Sequence, residues 1–402
     1  MSKKIVIAGS GFAGMWSAVS AARAVSLARK QNDIEITVVS PSPNLHVRPR
    51  FYETVFDEMA PDIGPLFNAI RVRHVAGTVR AIDSERHQVE TLGIDGETAT
   101  LHYDRFVLAT GSRVLVADIP GLQQYSFNVD QLQNAIELDR HLRALINKPE
   151  TIARNTIVVV GGGFTGIETV AEMPDRLRKI LGQNARIRVV LLERAAAVGP
   201  DLGPIPRPVI EEALAACGVE VLTSTSATAI DASGVTTSTG GRIETNTVIW
   251  AAGARADELA AQIAGEHDPL GRVHADQYLR AKQVKDTFVT GDVAMVATDR
   301  EGHLASMSCQ HALSLGRVAG HNAAAELVGL PLHPYSQPKY VTCLDLGPWG
   351  ALYTEGWDRQ IKLKLEEAKA LKRAINTQWI YPPPADREAA FGIANPDFVI
   401  VP

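Results

Sequence analysis

Two glycine-rich segments of this chain have the spacing that binds a dinucleotide. In the segment from Thr156 to Glu172, TIVVVGGGFTGIETVAE, an apolar strand runs into Gly161, Gly163 and Gly166 and then into a helical pattern. The first glycine allows the tight turn, the second lets a pyrophosphate approach the backbone, and the third lets helix and strand pack closely. The helix N-terminus adds unpaired N–H groups and a positive dipole end. This order predicts a dinucleotide site.

The N-terminus carries a second copy of the same pattern. The segment KKIVIAGSGFAG, residues 3–14, places Gly9, Gly11 and Gly14 at the equivalent positions. Two such segments predict two bound dinucleotides. One held tightly and one exchanging is the arrangement that moves a hydride from a nicotinamide to a flavin.

Three positions at strand ends are candidates for contacts with sugar hydroxyls. Glu193 follows the strand from Ile187 to Leu192, where a ribose-binding carboxylate is expected about 20 residues past the glycines. The equivalent position after the second strand is Ser40, whose uncharged hydroxyl binds less strongly. Asp292 ends the strand in DTFVTGDVA and suits a ribityl hydroxyl; the alternative is an Asp that caps a turn.

Two further segments carry polar groups that can reach a cofactor. The loop NLHVRPRFYE, residues 44–53, contains Arg48, and cofactor contact and a solvated loop are equally good interpretations. A helix predicted from Met307 to Asn322 has Gln310 and His311 at its start, where the helix dipole favours the negative charge of a reduced flavin. His311 is equally consistent with a structural histidine.

Composition limits the classes of function. The chain has 402 residues, 46% of them hydrophobic, and its formal net charge of −5 argues against nucleic-acid binding. The three cysteines are far apart, so we expect neither a short-spaced redox dithiol nor a metal site. The chain enters a strand directly and has no apolar run of about 18 residues, so we expect no secretion signal, no transmembrane segment and a cytoplasmic location.

The element pattern predicts an α/β fold with two Rossmann-like domains. We expect an FAD-binding domain over residues 1–120 and 264–330, an NAD(H)-binding domain over residues 121–263, and a small α+β C-terminal region over residues 331–402. Residues 72–101 are interpreted as a meander of short strands with turns at Gly77, Asp83-Ser84 and Asp95-Gly96.

The C-terminal region contains one amphipathic pattern. Apolar residues recur every three or four positions from Trp357 to Ile375, which predicts a helix. Its other face is basic, with six Lys or Arg against three Asp or Glu between Asp358 and Arg373. Such a helix either packs on protein or lies on an anionic membrane, and the mixed charge favours packing.

The motifs GSGFAG, ATG, GGGFTGIE, TVIWAAG and TGDVA, in this order, resemble the flavoproteins with two dinucleotide-binding domains and a glutathione-reductase-like fold. Within them the chain is most similar to type II NADH dehydrogenases, over about residues 3–330. The resemblance implies FAD at Gly9, Gly11, Gly14, Ala109, Gly111 and Asp292, and NADH at Gly161, Gly163, Gly166 and Glu193. Glu193 should repel a 2′-phosphate, which predicts NADH over NADPH although Arg194 acts against this.

The resemblance also implies roles at the reacting centre. Glu168 matches the family's acid beside the nicotinamide. The family's quinone-lining segment is Ala-Gln-x-Ala-x-Gln, and this chain keeps Gln310 and Ala312 but has Cys309 and Ser314 at the outer positions. A quinone acceptor, a homodimer and peripheral contact with the inner face of a membrane are implied.

Two alternatives stay open at this point. One is a soluble NADH-dependent flavoprotein reductase acting on a dedicated metabolite or redox protein, with His311 as a proton donor. The other is a non-enzymatic protein that binds NAD(H) as a signal.

Overall fold

The computed structural model describes residues 2–399, which form two parallel sheets and several smaller ones. The strands are β1 (Lys3–Ala8), β2 (Ile34–Ser40), β3 (Arg73–Asp83), β4 (Gln88–Gly93), β5 (Thr98–His102), β6 (Arg105–Leu108), β7 (Ser112–Val114), β8 (Thr156–Val160), β9 (Arg188–Leu192), β10 (Val219–Leu222), β11 (Ala227–Asp231), β12 (Gly234–Thr237), β13 (Arg242–Glu244), β14 (Thr247–Trp250), β15 (Ala254–Ala256), β16 (Val273–His274), β17 (Thr287–Val289), β18 (Ala294–Met295), β19 (Val341–Asp345), β20 (Ala351–Glu355) and β21 (Gln360–Lys364). The helices are α1 (Phe12–Leu27), α2 (Gly64–Ala69), α3 (Leu122–Tyr125), α4 (Leu132–Ala144), α5 (Ile152–Asn155), α6 (Phe164–Leu181), α7 (Arg207–Cys217), α8 (Cys309–Val328), α9 (Leu365–Ala374) and α10 (Arg387–Gly392).

The larger sheet has seven strands in the order β17-β6-β1-β2-β3-β4-β5. Its strands from β17 to β3 are parallel, while β4 and β5 extend it as an antiparallel ribbon. Chain order reverses between β1 and β6, so a ligand crevice is expected at their carboxyl ends.

Helices α1 and α8 cover one face of this sheet and touch each other closely. A Cβ added to Gly316 would lie 2.5 Å from the Ala13 carbonyl oxygen, and one added to Gly320 would lie 2.0 Å from that of Ser17. Only glycine permits this approach. The N-termini of the two helices are therefore held side by side.

The smaller parallel sheet has four strands in the order β10-β9-β8-β14. Its strands β8, β9 and β14 are almost wholly buried, as expected of β-branched runs covered on both faces. Here the order reverses between β8 and β14. The prediction of an α/β fold with two Rossmann-like sheets is confirmed, and the domain limits at residues 120, 263 and 330 stay a prediction.

The predicted turn at Gly77 is wrong. Gly77 lies inside β3, opposite Gly93 of β4, and a Cβ on it would meet the Leu92 carbonyl oxygen at 2.5 Å. The glycine therefore permits close strand approach, at the point where β3 exchanges its parallel partner β2 for the antiparallel β4.

The single helix predicted from Trp357 to Ile375 is also wrong. Gly356 and Arg359 have φ values of +79° and +60° and form a turn. The chain then adds β21 to an antiparallel sheet in the order β19-β20-β21, and α9 starts only at Leu365. One turn of π-helix, Ile375–Trp379, follows. Helix α9 packs on β19 and β20, which is the packing interpretation favoured by the sequence.

The end of the described chain returns to α1. The Ser20 hydroxyl donates to the Ala394 carbonyl oxygen at 3.0 Å. The Arg317 guanidinium stacks 3.6 Å from the centre of the Trp16 ring and donates to the Ile393 carbonyl oxygen. Among residues 2–399, no helix combines the length and apolarity that crossing a bilayer requires.

Candidate active site

The first glycine loop connects β1 to α1 at the crevice of the seven-stranded sheet. Gly9 has a φ of +106°, and a Cβ on it would lie 2.4 Å from the Ala109 carbonyl oxygen. A Cβ on Gly14 would lie 2.0 Å from the Gly9 carbonyl oxygen. Both glycines are required by the fold itself, because the loop, α1 and the segment after β6 meet here without side chains between them.

The second glycine loop repeats this geometry between β8 and α6. Gly161 has a φ of +107°, and a Cβ on it would lie 2.8 Å from the Ala251 carbonyl oxygen. One on Gly166 would lie 1.8 Å from the Gly161 carbonyl oxygen. The segment after β14 therefore contacts the second glycine loop in the same way that the segment after β6 contacts the first.

The middle glycine of each loop has a different role. A Cβ added to Gly11 or Gly163 would have no heavy atom within 4 Å. The helices that start at these glycines have no side-chain N-cap and no acidic residue in their first turn, so their N–H groups are free to bind an anion. The residues present therefore fit a pyrophosphate at each loop; the assignment of FAD to the first loop and NADH to the second stays a prediction.

Other predicted FAD contacts gather at the same sheet edge. Gly111 follows β6 with a φ of +73°, and Asp292 lies in a short 3-10 turn after β17. The Asp292 carboxylate accepts a hydrogen bond from the Ser112 hydroxyl at 2.6 Å and lies 3.7 Å from the Arg48 guanidinium. Arg48 also pairs with Asp130. The structure therefore places Arg48 at the crevice, where most of its guanidinium N–H groups already donate hydrogen bonds to other residues of the protein.

Ser40 ends β2 at this edge, where its hydroxyl contacts a backbone carbonyl and a histidine. Its hydroxyl donates to the Ser42 carbonyl oxygen at 2.7 Å and lies 2.9 Å from His74 Nε2. Burial lowers the pKa of His74, although its hydrogen bond to the Ser40 carbonyl opposes this. The position that usually carries a ribose-binding acid is therefore uncharged.

Glu193 occupies the equivalent position after β9 and is buried against the second loop. One carboxylate oxygen accepts from the Gly162 N–H at 2.7 Å and the other from the Ala195 N–H at 2.6 Å. These two hydrogen bonds hold the carboxyl group beside the loop. The two loops therefore share a backbone and differ in charge at the strand end.

Glu168 lies on the second turn of α6, is 3% exposed and belongs to a cluster that the sequence did not predict. Its Oε1 lies 2.7 Å from Lys372 Nζ and accepts from the Asp345 N–H at 3.0 Å. Lys369 Nζ lies 2.5 Å from Asp345 and 3.4 Å from Glu172. We call these five residues the carboxylate–lysine cluster. Tyr52 completes it from the 44–53 loop, donating to Asp345 at 3.0 Å.

The cluster shifts the protonation of its members. Burial raises the pKa of Glu168 to about 7; Lys372 opposes this and Asp345 adds to it. Burial opposes the charge on Lys372, but Glu168 and Cys343 raise its pKa overall. Glu168 can therefore gain or lose a proton near neutral pH while Lys372 stays charged.

The N-terminus of α8 lies next to this cluster. Its first residue is Cys309, whose thiol pKa burial raises to about 11, with Lys372 opposing and Asp292 and Glu168 adding. Cys309 is thus within the electrostatic reach of both the predicted FAD contact Asp292 and the predicted nicotinamide contact Glu168. Gln310 follows and accepts from the Val341 N–H at 3.5 Å.

His311 is fully buried behind Gln310. Its Nδ1 lies 2.9 Å from the Ser306 hydroxyl and 3.0 Å from that of Ser308, the N-cap of α8. Burial lowers the pKa of His311 to about 4, and Arg272 and Arg359 act in the same direction. The ring is neutral at pH 7, so any proton it donates there comes from a neutral imidazole N–H.

A family profile described as pyridine nucleotide-disulphide oxidoreductase matches residues 3–316. The chain belongs to this family. It is 43% identical over 383 residues to an NADH dehydrogenase-like protein of Mycobacterium tuberculosis, covering 94% of each chain. It is 30% identical over 321 residues to a type II NADH:quinone oxidoreductase of the same species, covering 73% of this chain and 66% of the relative.

A solved structure shares the whole fold. The type II NADH dehydrogenase of Plasmodium falciparum, solved in complex with NADH, has a TM-score of 0.77 at 13% identity and covers all of both chains. The predicted resemblance is confirmed, and so are the expectations that the protein is an enzyme and that it uses FAD and NADH. The interpretation as a non-enzymatic binding protein is wrong.

Sequence reasoning missed several residues of the site. The partners of Glu168 from the C-terminal region, Asp345 and Lys372, lie 177 or more residues away along the chain. Ser112 and Asp130, which hold Asp292 and Arg48, were missed as well. The Tyr52 contact had a local signal, because the sequence placed that tyrosine on a loop able to reach the site.

Proposed function

We propose that this enzyme passes electrons from NADH through FAD to a quinone. The observation that carries the proposal is the start of α8, which places Gln310 next to the carboxylate–lysine cluster. The two cysteines nearby, Cys309 and Cys343, are free, and the Cys343 thiol donates to the Ala368 carbonyl oxygen at 3.6 Å. An acceptor that takes electrons directly from the flavin fits this arrangement better than one that reacts through a dithiol.

Bound FAD supplies two-electron chemistry between NADH and the acceptor. The chain's own residues supply binding and orientation. The free N–H groups at Gly11 and Gly163 hold the two pyrophosphates, and Glu193 binds the ribose hydroxyls of NADH. Glu168 places a carboxylate beside the nicotinamide, where its negative charge stabilises the positive charge that grows on the ring.

The acceptor side is formed by the start of α8. The Gln310 side chain is half-buried and offers an amide N–H₂ to an acceptor carbonyl, while its oxygen is used by Val341. Relatives named as quinone oxidoreductases support this assignment. Ser314 is buried, so this chain has a short hydroxyl side chain where the family pattern has a second glutamine.

The test is an anaerobic absorbance titration with NADH, followed by a short-chain quinone. We expect the flavin spectrum to bleach with NADH and to return rapidly when quinone is added. Bleaching without return would contradict the quinone assignment and favour a dedicated metabolite or redox protein as the oxidant. No bleaching would contradict NADH as the donor.

The homodimer, the cytoplasmic location and peripheral contact with a membrane stay predictions. Light scattering on the purified protein measures the first. Sedimentation with anionic vesicles measures membrane contact. In the carboxylate–lysine cluster Lys372 is buried and Lys369 is half-buried, so the exposed face of α9 is less basic than its sequence suggests.

A further inference from the structure

Four side chains meet behind Gln310 at the start of β19. The Tyr340 ring stacks 4.4 Å from that of Trp357 and 5.3 Å from that of His311, measured between centroids. The Arg359 guanidinium lies 4.7 Å from the centre of the Tyr340 ring. We call His311, Tyr340, Trp357 and Arg359 the donor cluster.

Three buried nitrogen atoms of this cluster have no hydrogen-bond partner among residues 2–399. They are His311 Nε2, Trp357 Nε1 and Arg359 Nη1. The His311 ring is fully buried, so no bulk solvent reaches its nitrogen. Buried donors are almost always paired in folded proteins, and three unpaired ones around a single tyrosine indicate that an acceptor-bearing group belongs there.

Two of these nitrogens are donors by their chemistry, and the role of the third depends on the tautomer of His311. The hydroxyls of Ser306 and Ser308 flank His311 Nδ1, and when one of them donates to Nδ1 the proton of the neutral ring is on Nε2. Indole and guanidinium nitrogens can only donate. The cluster therefore offers the N–H groups of Trp357 and Arg359, and a third from His311 in the tautomer that is protonated at Nε2.

The cluster contains one guanidinium that no carboxylate of residues 2–399 neutralises. Arg359 has no carboxylate partner among the described residues, and its Nη2 donates to the Asp201 backbone carbonyl at 3.1 Å. Arg272, which also acts on His311, is already paired with Asp268 at 2.8 Å. The acids Asp299 and Glu301 pair with His303, which stacks on Trp357. An unpaired guanidinium with unpaired N–H groups favours an oxyanion.

The faces of the rings are occupied by one another. Trp357 stacks on Tyr340 and on His303, with interplanar angles of 18° and 7°. The N–H groups of these rings lie in the ring planes, so they are directed outward from the edges of the stacked rings. A ligand is therefore recognised through its oxygen atoms rather than by insertion between rings.

We propose that the donor cluster binds the anionic oxygen of the electron acceptor, so that the enzyme prefers an acidic quinone or another oxyanion-bearing acceptor to a neutral one. This rests on the proposed function, since it assigns the class of acceptor to the same site. Tyr340 immediately precedes Val341, which contacts Gln310, so the cluster adjoins the side chain that faces the acceptor.

The test compares two quinones of matched size on the oxidised holoenzyme without NADH. Equilibrium dialysis measures the affinity for 2-hydroxy-1,4-naphthoquinone, an anion at neutral pH, and for the neutral 2-methyl-1,4-naphthoquinone. We expect the anion to bind at least about tenfold tighter, as one charge-assisted hydrogen bond provides. Equal affinities in the wild type would overturn the proposal.

Variants assign the preference to the cluster. Arg359→Gln should remove the preference for the anion, and Trp357→Phe should weaken anion binding severalfold while keeping the ring stack. Arg86→Gln, at an exposed surface pair with Asp83, is the control and should change neither affinity. Equal weakening of both quinones in Arg359→Gln would contradict the proposal, and so would displacement of the anion by NAD⁺.

The failure of one proposal is separable from the failure of the other. Anaerobic bleaching of the flavin by NADH tests whether NADH reduces the enzyme, and it needs no quinone. If NADH bleaches the flavin but the anionic quinone binds no more tightly than the neutral one, the reaction with NADH stands and the role of the donor cluster is contradicted. If the anionic quinone binds more tightly but NADH does not bleach the flavin, the binding site stands and NADH is contradicted as the electron donor.

Discussion

The first glycine loop turns at Gly9 with a φ of +106°, and the second turns at Gly161 with a φ of +107°. The strand beside the first loop ends in the neutral Ser40, next to His74, whereas the strand beside the second ends in the carboxylate of Glu193. The backbone geometry that we propose for phosphate binding is thus nearly the same in the two loops. The residue at the strand end, which we propose to contact the sugar, differs between the two halves.

The strongest way to break this symmetry is to add a methyl group where the backbone leaves no room. Gly166→Ala puts a Cβ 1.8 Å from the Gly161 carbonyl oxygen, and Gly14→Ala puts one 2.0 Å from that of Gly9. Such overpacking costs about 1 to 3 kcal/mol of stability. We expect Gly166→Ala to retain flavin but not be reduced by NADH, and Gly14→Ala to purify without flavin.

The ratio of flavin to protein absorbance and an NADH titration measure these effects. Gly163→Ala is the matched control for the fold, because its Cβ meets no heavy atom within 4 Å. It should keep the melting temperature and weaken only NADH binding. Loss of flavin from Gly166→Ala would contradict the separation of the two loops.

Exchanging the strand-end residues sharpens the comparison with a smaller effect. A hydrogen bond to a charged group contributes about 1.5 to 3 kcal/mol, or roughly 10- to 100-fold in affinity. We expect Glu193→Ser to raise the Kd for NADH by about tenfold or more and to reduce discrimination against NADPH. We expect Ser40→Glu to tighten FAD binding to the apoprotein, measured by flavin fluorescence.

Glu193→Gln is the control for the charge alone, since it keeps the size of the side chain. An unchanged NADH affinity in both Glu193 variants would show that its two backbone hydrogen bonds only shape the loop. Weaker FAD binding in Ser40→Glu would mean that the carboxylate is not tolerated beside His74.

The smallest expected effect is a dependence of the reaction rate on pH, and it compares Glu168 with His311. Glu168, with a pKa raised to about 7, becomes ionised as the pH rises through neutrality, whereas His311, with a pKa lowered to about 4, stays neutral. In the proposed mechanism the Glu168 carboxylate stabilises positive charge on the nicotinamide. The rate of flavin reduction by NADH should therefore rise severalfold from pH 6 to pH 8.

Glu168→Gln should behave like the protonated form, slow and independent of pH over this range. Stopped-flow measurement of the first half-reaction isolates the effect. An inflection near pH 7 that persists in Glu168→Gln would assign the titration to another group.

Much of the fold followed from local patterns. Each glycine loop, its strand and its helix lie close together in sequence, so spacing alone predicted Gly9 to Gly14 and Gly161 to Gly166. The start of α8 was also predicted to within two residues, because a helical pattern follows Met307, although the helix continues past the predicted end at Asn322 to Val328. These features are determined within some 20 residues of chain.

The parts of the fold and site that were not predicted depend on contacts between residues far apart in sequence, which no local pattern predicts. The pairing of Glu168 with Lys372 joins residues on α6 and α9, and the partners of Arg359 come from three separate segments. The apolar residues Trp357 and Ile361 fit a helical stripe by coincidence, since the positive φ of Arg359 and the pairing of β21 with β20 direct the chain into a strand. Tertiary pairing overrode the local period.

The return of the chain to its first helix has a consequence for biosynthesis. Ser20 and Trp16 on α1 gain their last contacts only from Ala394 and from Arg317, which Ile393 holds in place. At translation rates of about 5 to 20 residues per second, the ribosome needs roughly 20 to 70 s to reach these residues after α1 has been made. During that interval α1, which follows the first glycine loop, lacks part of its cover, so the loop is complete in sequence long before its helix is fully packed.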